Sequence, residues 1–112
     1  MYHISIKLPS LLNTRMSWQA MAALKKKQRK ATKRAMKGAL IPPLPLLVTI
    51  TRSGPVKLDD DNLQGACKYV RDQIAEEVGV DDGSPLYTWK YEQKRGPHGV
   101  EVEIVARQSG CK

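Results

Sequence analysis

The first 58 residues of this 112-residue chain contain no acidic side chain, although they contain 12 basic ones. Phenylalanine is also absent, and aromatic residues make up only 5% of the chain, which argues against the base-stacking platforms that bind single-stranded nucleic acids. The chain has two cysteines and two histidines. They are far apart in sequence, so no spacing typical of a zinc site is present.

Long apolar segments are absent as well. The longest apolar stretch, residues 39–50, is interrupted by three prolines and is too short to cross a bilayer. The N-terminus lacks the basic start of a secretory signal, and Cys67 and Cys111 form no CxxC pair. We expect both cysteines to be free thiols, as suits a reducing compartment, and we expect a cytoplasmic protein with no membrane segment.

Acidic residues appear abruptly at residue 59. Residues 59–112 carry 7 basic and 11 acidic side chains, so the two parts of the chain have formal charges of +12 and −4. A basic half can be a solvated surface, a membrane-surface helix or a surface that binds phosphates. We favour the phosphate-binding surface, because a protein that holds a polyanion against a small metal site needs its charges separated in this way.

The hydrophobic pattern predicts a single domain, residues 1–112, of the α+β class. The predicted order is β-α-β-α-β-β, with strands at residues 2–8, 46–52, 86–92 and 100–106 and helices at residues 17–37 and 62–78. The second strand is apolar on both sides near its start, so we expect it inside a mixed four-stranded sheet packed against the helices. A turn containing Gly96, Pro97 and Gly99 predicts that the last two strands form a hairpin.

The first predicted helix is strongly basic. Ser17 is its expected N-cap and Gly38 its expected end. Only a narrow stripe of its surface is suited to burial, formed by Leu24, Gln28, Ala31 and Ala35. The side chains that we predict to contact DNA phosphates lie on or just before this helix and are Arg15, Lys25, Lys26, Lys27, Arg29, Lys30, Lys33 and Arg34.

Three consecutive aspartates, Asp59-Asp60-Asp61, precede the second predicted helix. Asp59 and Asp61 are two residues apart, so in an extended segment both side chains point to the same side. Mg²⁺ or Mn²⁺ would relieve their repulsion, because these hard cations bind carboxylate oxygens and keep positions for water and phosphate. A second pair, Asp81-Asp82, reaches the first only if the chain folds back along the helix. A simpler interpretation stays open, in which the first aspartates cap the helix and the second pair belongs to a turn.

Taken together, the acidic segments resemble a known signature. Residues 59–64, Lys68 with Asp72, and the loop at residues 79–82 are similar to D-x-D-N-x-x-K-x-x-x-D followed by a glycine-containing loop that ends in D-D. That signature is typical of the RusA-type Holliday junction resolvases. The opening strand, residues 4–9, is also similar to the start of that family, so the resemblance covers most of the chain.

The resemblance implies both a chemistry and a partner. Asp59, Asp61 and Asp82 would be the metal-binding and catalytic carboxylates, and Mg²⁺ or Mn²⁺ would be the cofactor. In that family a homodimer cuts four-way DNA junctions symmetrically, so the resemblance implies branched DNA as substrate and a second copy of the chain as partner.

One position departs from the signature. The family's functional lysine lies four residues after the second aspartate, where this chain has Gly65. Lys68 lies three residues further on and keeps the K-x-x-x-D spacing with Asp72. On a helix Lys68 is about 60° around and about 4.5 Å along from Gly65, so its long side chain can reach the vacated position. The alternative is that Lys68 only pairs with Asp72 on a solvated surface.

The sequence therefore predicts a divalent-metal-dependent endonuclease that hydrolyses branched DNA, with Asp59, Asp61, Asp82 and Lys68 as its catalytic residues. By the resemblance, it would act in DNA recombination and repair and could belong to a phage. The alternative is a non-catalytic DNA-binding protein, such as an inactive resolvase homologue or a phage regulator, in which the aspartates are caps and the basic helix does the binding. Metal dependence of DNA cleavage separates the two.

Overall fold

The computed structural model describes residues 2–4, 6, 8 and 17–107. Its elements are β1 (Tyr2–Ile4), α1 (Trp18–Ala35), β2 (Leu46–Gly54), α2 (Asp60–Ala66), α3 (Lys68–Val78), β3 (Tyr87–Arg95) and β4 (Gly99–Ala106). The predicted α+β class is confirmed. Arg15 and Cys111 lie outside the described residues. In the part of the chain that the structure describes, no helix is long and apolar enough to cross a membrane.

The four strands form one mixed sheet in the order β1-β4-β2-β3. β2 is central, antiparallel to β4 and parallel to β3, which confirms its predicted interior position. The predicted hairpin is wrong, because β2 lies between β3 and β4. The connection crosses the end of β2, where the Gly96 N–H donates to the Gly54 carbonyl at 3.1 Å. Gly96 has φ 154°, a conformation that glycine adopts far more readily than other residues.

One face of the sheet is buried against the helices. Val48 and Ile50 of β2 are fully buried, and the residues that alternate with them are only partly buried. Ile4, Ile6 and Leu8 are buried too, so the apolar side predicted for the first strand is confirmed there, although β1 itself ends at Ile4. The buried cluster extends into the helical layer through Met36, Leu63, Ala66, Val70 and Ile74.

Helix α1 follows its sequence signals closely. Ser17 is the N-cap, and its Oγ accepts a hydrogen bond from the Ala20 N–H at 3.1 Å. The helix ends at Ala35, and Gly38 follows with φ 76°, a left-handed conformation. Gln28 is fully buried at the centre of the predicted stripe, and Thr32, one turn further on, is also fully buried.

Gln28 carries an energetic cost in this position. Neither its Nε2 nor its Oε1 has a hydrogen-bond partner within the described structure, although both atoms are buried. An unsatisfied buried amide costs about 1–3 kcal/mol. We expect Gln28→Met to raise the free energy of unfolding by about 1 kcal/mol in urea denaturation. Gln19→Met, at an exposed position of the same helix, is the matched control and should change little; destabilisation by Gln28→Met would show that the buried amide stabilises the fold.

The second predicted helix is divided in the structure. It begins at Asp60 rather than at Asn62, and Cys67 separates α2 from α3. Helical hydrogen bonding continues across the division, because the Cys67 N–H donates to Leu63 and its carbonyl accepts from Arg71. Cys67 is a free thiol as predicted, and burial raises its pKa to about 12. The thiol therefore stays protonated at neutral pH.

Candidate functional site

The segment before the three aspartates is fixed from two sides. Arg52, which is 5% exposed at the end of β2, donates from Nε to the Leu8 carbonyl at 2.8 Å and from Nη1 to the Val56 carbonyl at 2.9 Å. Gln93 of β3 donates from Nε2 to the Leu58 carbonyl at 2.6 Å and accepts from the Leu58 N–H at 2.9 Å. The chain therefore enters α2 at a position set by β2 and β3.

Asp59 acts as the N-cap of α2. Its Oδ1 accepts a hydrogen bond from the Asn62 N–H at 2.9 Å, an interaction that stabilises a helix by about 1 kcal/mol. Asp60 and Asp61 lie in the first turn, and both are exposed. The capping role that the sequence left open is thus present for Asp59.

A groove beside the start of α3 brings together residues that are distant in sequence. Its volume is about 350 Å³. We call it the Lys68 groove; its lining residues are Gln64, Gly65, Lys68, Arg71, Asp72, Asp82 and Tyr91. Lys68 and Asp82, two of the predicted catalytic residues, thus share one surface with the glycine at the signature lysine's position. The chain therefore folds back along α3, and this brings Asp82 close to the start of that helix.

The other two predicted catalytic residues do not line this groove. Asp61 lies four residues before Gly65, so the two share one face of α2 and Asp61 is next to the groove along the helix. Asp59 is further away, at the cap. Among the ion pairs of the described residues none joins Lys68 to Asp72, so the pairing considered from the sequence is not formed.

Arg71 organises the groove, and no sequence pattern indicated this role. Its Nε lies 3.1 Å from Asp82 Oδ2, and its Nη2 donates to the Asp82 carbonyl at 3.2 Å. Its Nη1 donates to the Tyr91 hydroxyl at 2.8 Å, and its guanidinium carbon lies 4.8 Å from the centre of the Trp89 ring. Trp89 Nε1 also donates to the Asp82 carbonyl, at 2.9 Å. Arg71 and Trp89 together hold the Asp82 loop against α3 and β3.

Removing the Arg71 side chain should weaken the fold as well as the groove. Arg71→Ala leaves the Asp82 carboxylate and the Tyr91 hydroxyl without their partner, so we expect a loss of about 1–3 kcal/mol in the free energy of unfolding. Lys68→Ala removes the same charge from the same groove without breaking an ion pair, and it should cost less than about 0.5 kcal/mol. Urea denaturation measures both; equal losses would show that Arg71 does not hold the loop.

The three predicted metal ligands do not come together as one group in the described structure. Within residues 2–4, 6, 8 and 17–107, no group of three or more His, Cys, Asp or Glu side chains is placed to hold a metal ion. Asp59 is engaged in capping, and Asp82 is paired with Arg71. Only Asp82 of the three predicted ligands reaches the Lys68 groove.

The basic residues of α1 fall into two groups. Lys26, Lys27, Lys30, Lys33 and Arg34 are exposed, as contacts with phosphates require. Arg29 instead donates from Nε to Gln73 at 2.9 Å and from Nη2 to Glu76 at 3.2 Å. Lys25 lies over the Tyr69 ring, with its Nζ 5.9 Å from the ring centre. Arg29 therefore joins α1 to α3, and its guanidinium is paired with Glu76.

His3 and His98 are distant in sequence but line the same cavity. This cavity has a volume of about 170 Å³ at one end of the sheet and also includes Glu101. A hydrogen bond from Lys94 lowers the pKa of Glu101, so this carboxylate is already engaged. The pairing of β1 with β4, which places His3 opposite Glu101, explains a proximity that sequence spacing does not indicate.

Comparison of the chain with protein-family models, with curated proteins and with solved structures finds no match. The resemblance to the RusA-type resolvases therefore rests on the sequence alone, at residues 4–9, residues 59–64, Lys68, Asp72 and residues 79–82.

Proposed function

We propose that this protein is an endonuclease that cuts branched DNA, such as four-way junctions, at the Lys68 groove. The observation that carries the proposal is that Lys68 and Asp82 line one groove with Gly65. Gly65 is the position where the resolvase signature has its lysine, so Lys68 and Asp82 lie beside that position in the groove.

The residues of the groove suit a phosphodiester. Lys68 is exposed and free of an ion pair in the described structure, so its ammonium group is available to neutralise charge that develops on a phosphate. Arg71 fixes the Asp82 loop through its two contacts with that residue. The basic helix α1 supplies phosphate contacts that do not read bases, which suits a substrate recognised by its shape.

The proposal includes a requirement for Mg²⁺ or Mn²⁺ and a homodimer. The metal requirement rests on the spacing of Asp59, Asp61 and Asp82 in the sequence, not on their grouping in the structure. The homodimer rests on substrate symmetry, because two strands must be cut at related positions. We also propose a cytoplasmic location, because the proposed branched DNA substrate would lie in that compartment.

A second candidate function is a DNA-binding protein without catalytic activity. Two contacts favour it: Asp59 caps α2, and Asp82 is paired with Arg71. In this alternative both carboxylates stabilise the fold, and the exposed cations of α1 account for the whole function.

The two candidates are separated by one incubation. Purified protein is mixed with a 5′-labelled four-way junction in Mg²⁺, in Mn²⁺ and in EDTA, with a linear duplex of the same sequence as control. The endonuclease proposal predicts shortened strands from the junction only when metal is present. Binding of the junction without shortened strands under every condition would favour the non-catalytic alternative.

A further inference from the structure

The C-terminal end of α1 forms a second groove against the last turn of α3. It has a volume of about 500 Å³. We call it the basic groove; its lining residues are Lys30, Lys33, Arg34, Lys37, Gly38 and Glu77. Its four cations are exposed, and within the described residues none of them belongs to an ion pair. The basic groove shares no residue with the Lys68 groove, so it is a separate concentration of positive charge, with four cations against one carboxylate.

The orientation of α1 produces this concentration. Gln28 and Thr32 are fully buried and fix the inward side of the helix. Lys30 and Lys33 lie on the opposite side of α1, and Lys37 follows at an exposed position just past the end of the helix. These lysines cannot turn inward without exposing the buried stripe.

Helix α3 supplies the other wall. Arg29 of α1 contacts Gln73 and Glu76 of α3, at 2.9 and 3.2 Å, and thereby links the two helices. Glu77 follows on α3 and accepts a hydrogen bond from Gln73 Nε2 at 2.8 Å. One carboxylate therefore faces the four cations across the basic groove.

We propose that the basic groove binds the phosphodiester backbone of a DNA arm, separately from the Lys68 groove. The inference rests on the proposed function in taking DNA as the polyanion. From Lys30 to Arg34, both within α1, the helical rise is about 6 Å, which is comparable with the rise of about two nucleotides along one strand of a duplex. Lysines make up three of the four cations of the basic groove, so it offers point charges suited to phosphates, contacts that fix position without reading sequence.

The test compares two triple variants. Lys30→Ala, Lys33→Ala and Lys37→Ala empty the basic groove of lysines, whereas Lys90→Ala, Lys94→Ala and Arg95→Ala remove the same charge from exposed positions of β3, away from α1. Junction affinity is measured in EDTA over a range of salt concentrations. We expect the slope of log K against log salt to fall by about two to three units in the first variant and by less than about one in the second. Equal slopes, or a larger effect of the second variant, would overturn the proposal.

Substitution of Glu77 tests the same proposal through the opposite effect, a gain in junction affinity. Glu77→Gln removes the one carboxylate that the described residues contribute to the basic groove, so it should tighten junction binding severalfold in EDTA. Glu103→Gln makes the same charge change on β4, where Glu103 is exposed, and should leave affinity within about twofold. Unchanged affinity in Glu77→Gln would show that DNA does not enter the basic groove.

These measurements do not depend on catalysis. If the wild type fails to cut the junction in Mg²⁺ but the two triple variants differ as expected, the endonuclease proposal fails and the binding site stands. If the wild type cuts and the two triple variants have equal slopes, the endonuclease proposal stands and the basic groove is refuted.

Discussion

Asp61→Asn should abolish cleavage of a four-way junction while leaving junction affinity within a few fold of the wild type, or slightly improved. Asp61 is exposed in the first turn of α2 and lies four residues before Gly65 of the Lys68 groove. In the proposed endonuclease Asp61 is one of the carboxylates that would bind the Mg²⁺ or Mn²⁺ ion. We expect a loss on the order of 10³-fold in the single-turnover rate, equivalent to about 4 kcal/mol of transition-state stabilisation. Binding should not suffer, because in the proposed endonuclease Asp61 faces the phosphates and the substitution removes its negative charge.

Asp60 provides the matched control. Asp60→Asn makes the same change of charge at the neighbouring exposed residue, at the position that the signature leaves unspecified. It should cut within about threefold of the wild-type rate, because it lies outside the proposed site. Cleavage by Asp61→Asn at the wild-type rate in Mg²⁺ would show that Asp61 is not a catalytic residue. An equal loss of cleavage rate in both variants would show that only the net charge of this segment matters.

Lys68→Ala is the second variant with a large expected effect. Lys68 lines the same groove as Asp82 and forms no ion pair with Asp72 in the described structure. Its ammonium group is therefore available for the phosphate. We expect kcat to fall by on the order of 10²-fold, as is typical when a group aimed at developing charge is removed. The free energy of unfolding, measured in urea, should change by less than about 0.5 kcal/mol.

A rescue experiment tests whether a lysine at position 65 can replace the charge of Lys68. Gly65→Lys in the Lys68→Ala background restores a lysine where the resolvase signature has one, and Gly65 lines the same groove. Some activity should return. Gly65→Ala in the same background is the control, because it gains the same helix propensity of up to about 1 kcal/mol without the charge. Full activity in Lys68→Ala alone would show that Lys68 plays no part in catalysis.

Helix α1 was predictable from local signals, whereas the division between α2 and α3 and the strand order were not. Ser17 and Gly38 mark the ends of α1 because capping and left-handed backbone depend on neighbouring residues only. The turn around Gly96 correctly indicated that the chain reverses between β3 and β4. It could not indicate that β2 lies between them, because that pairing is decided by contacts between segments that are distant in sequence.

The candidate site was predictable only in part for the same reason. The signature spacing placed Lys68 and Asp82 among the functional residues, and the structure brings both to one groove. Arg71 carries no local signal of its role, because its partners Tyr91 and Trp89 come from β3. Arg29 resembles the other cations of α1 in sequence, and only its contact with Glu76 distinguishes it. Charge patterns locate a basic surface but do not show which cations are already paired.

The most direct test of metal-dependent cutting of branched DNA is to map where each strand of a four-way junction is cut. Four preparations of one junction, each labelled at the 5′ end of a different strand, are incubated with excess wild-type protein in Mg²⁺ under single-turnover conditions. The endonuclease proposal predicts cuts at symmetrically related positions in two opposed strands, none in EDTA and none in the matching linear duplex. A junction that is bound and remains intact in both Mg²⁺ and Mn²⁺, or a linear duplex cut equally fast, would contradict it.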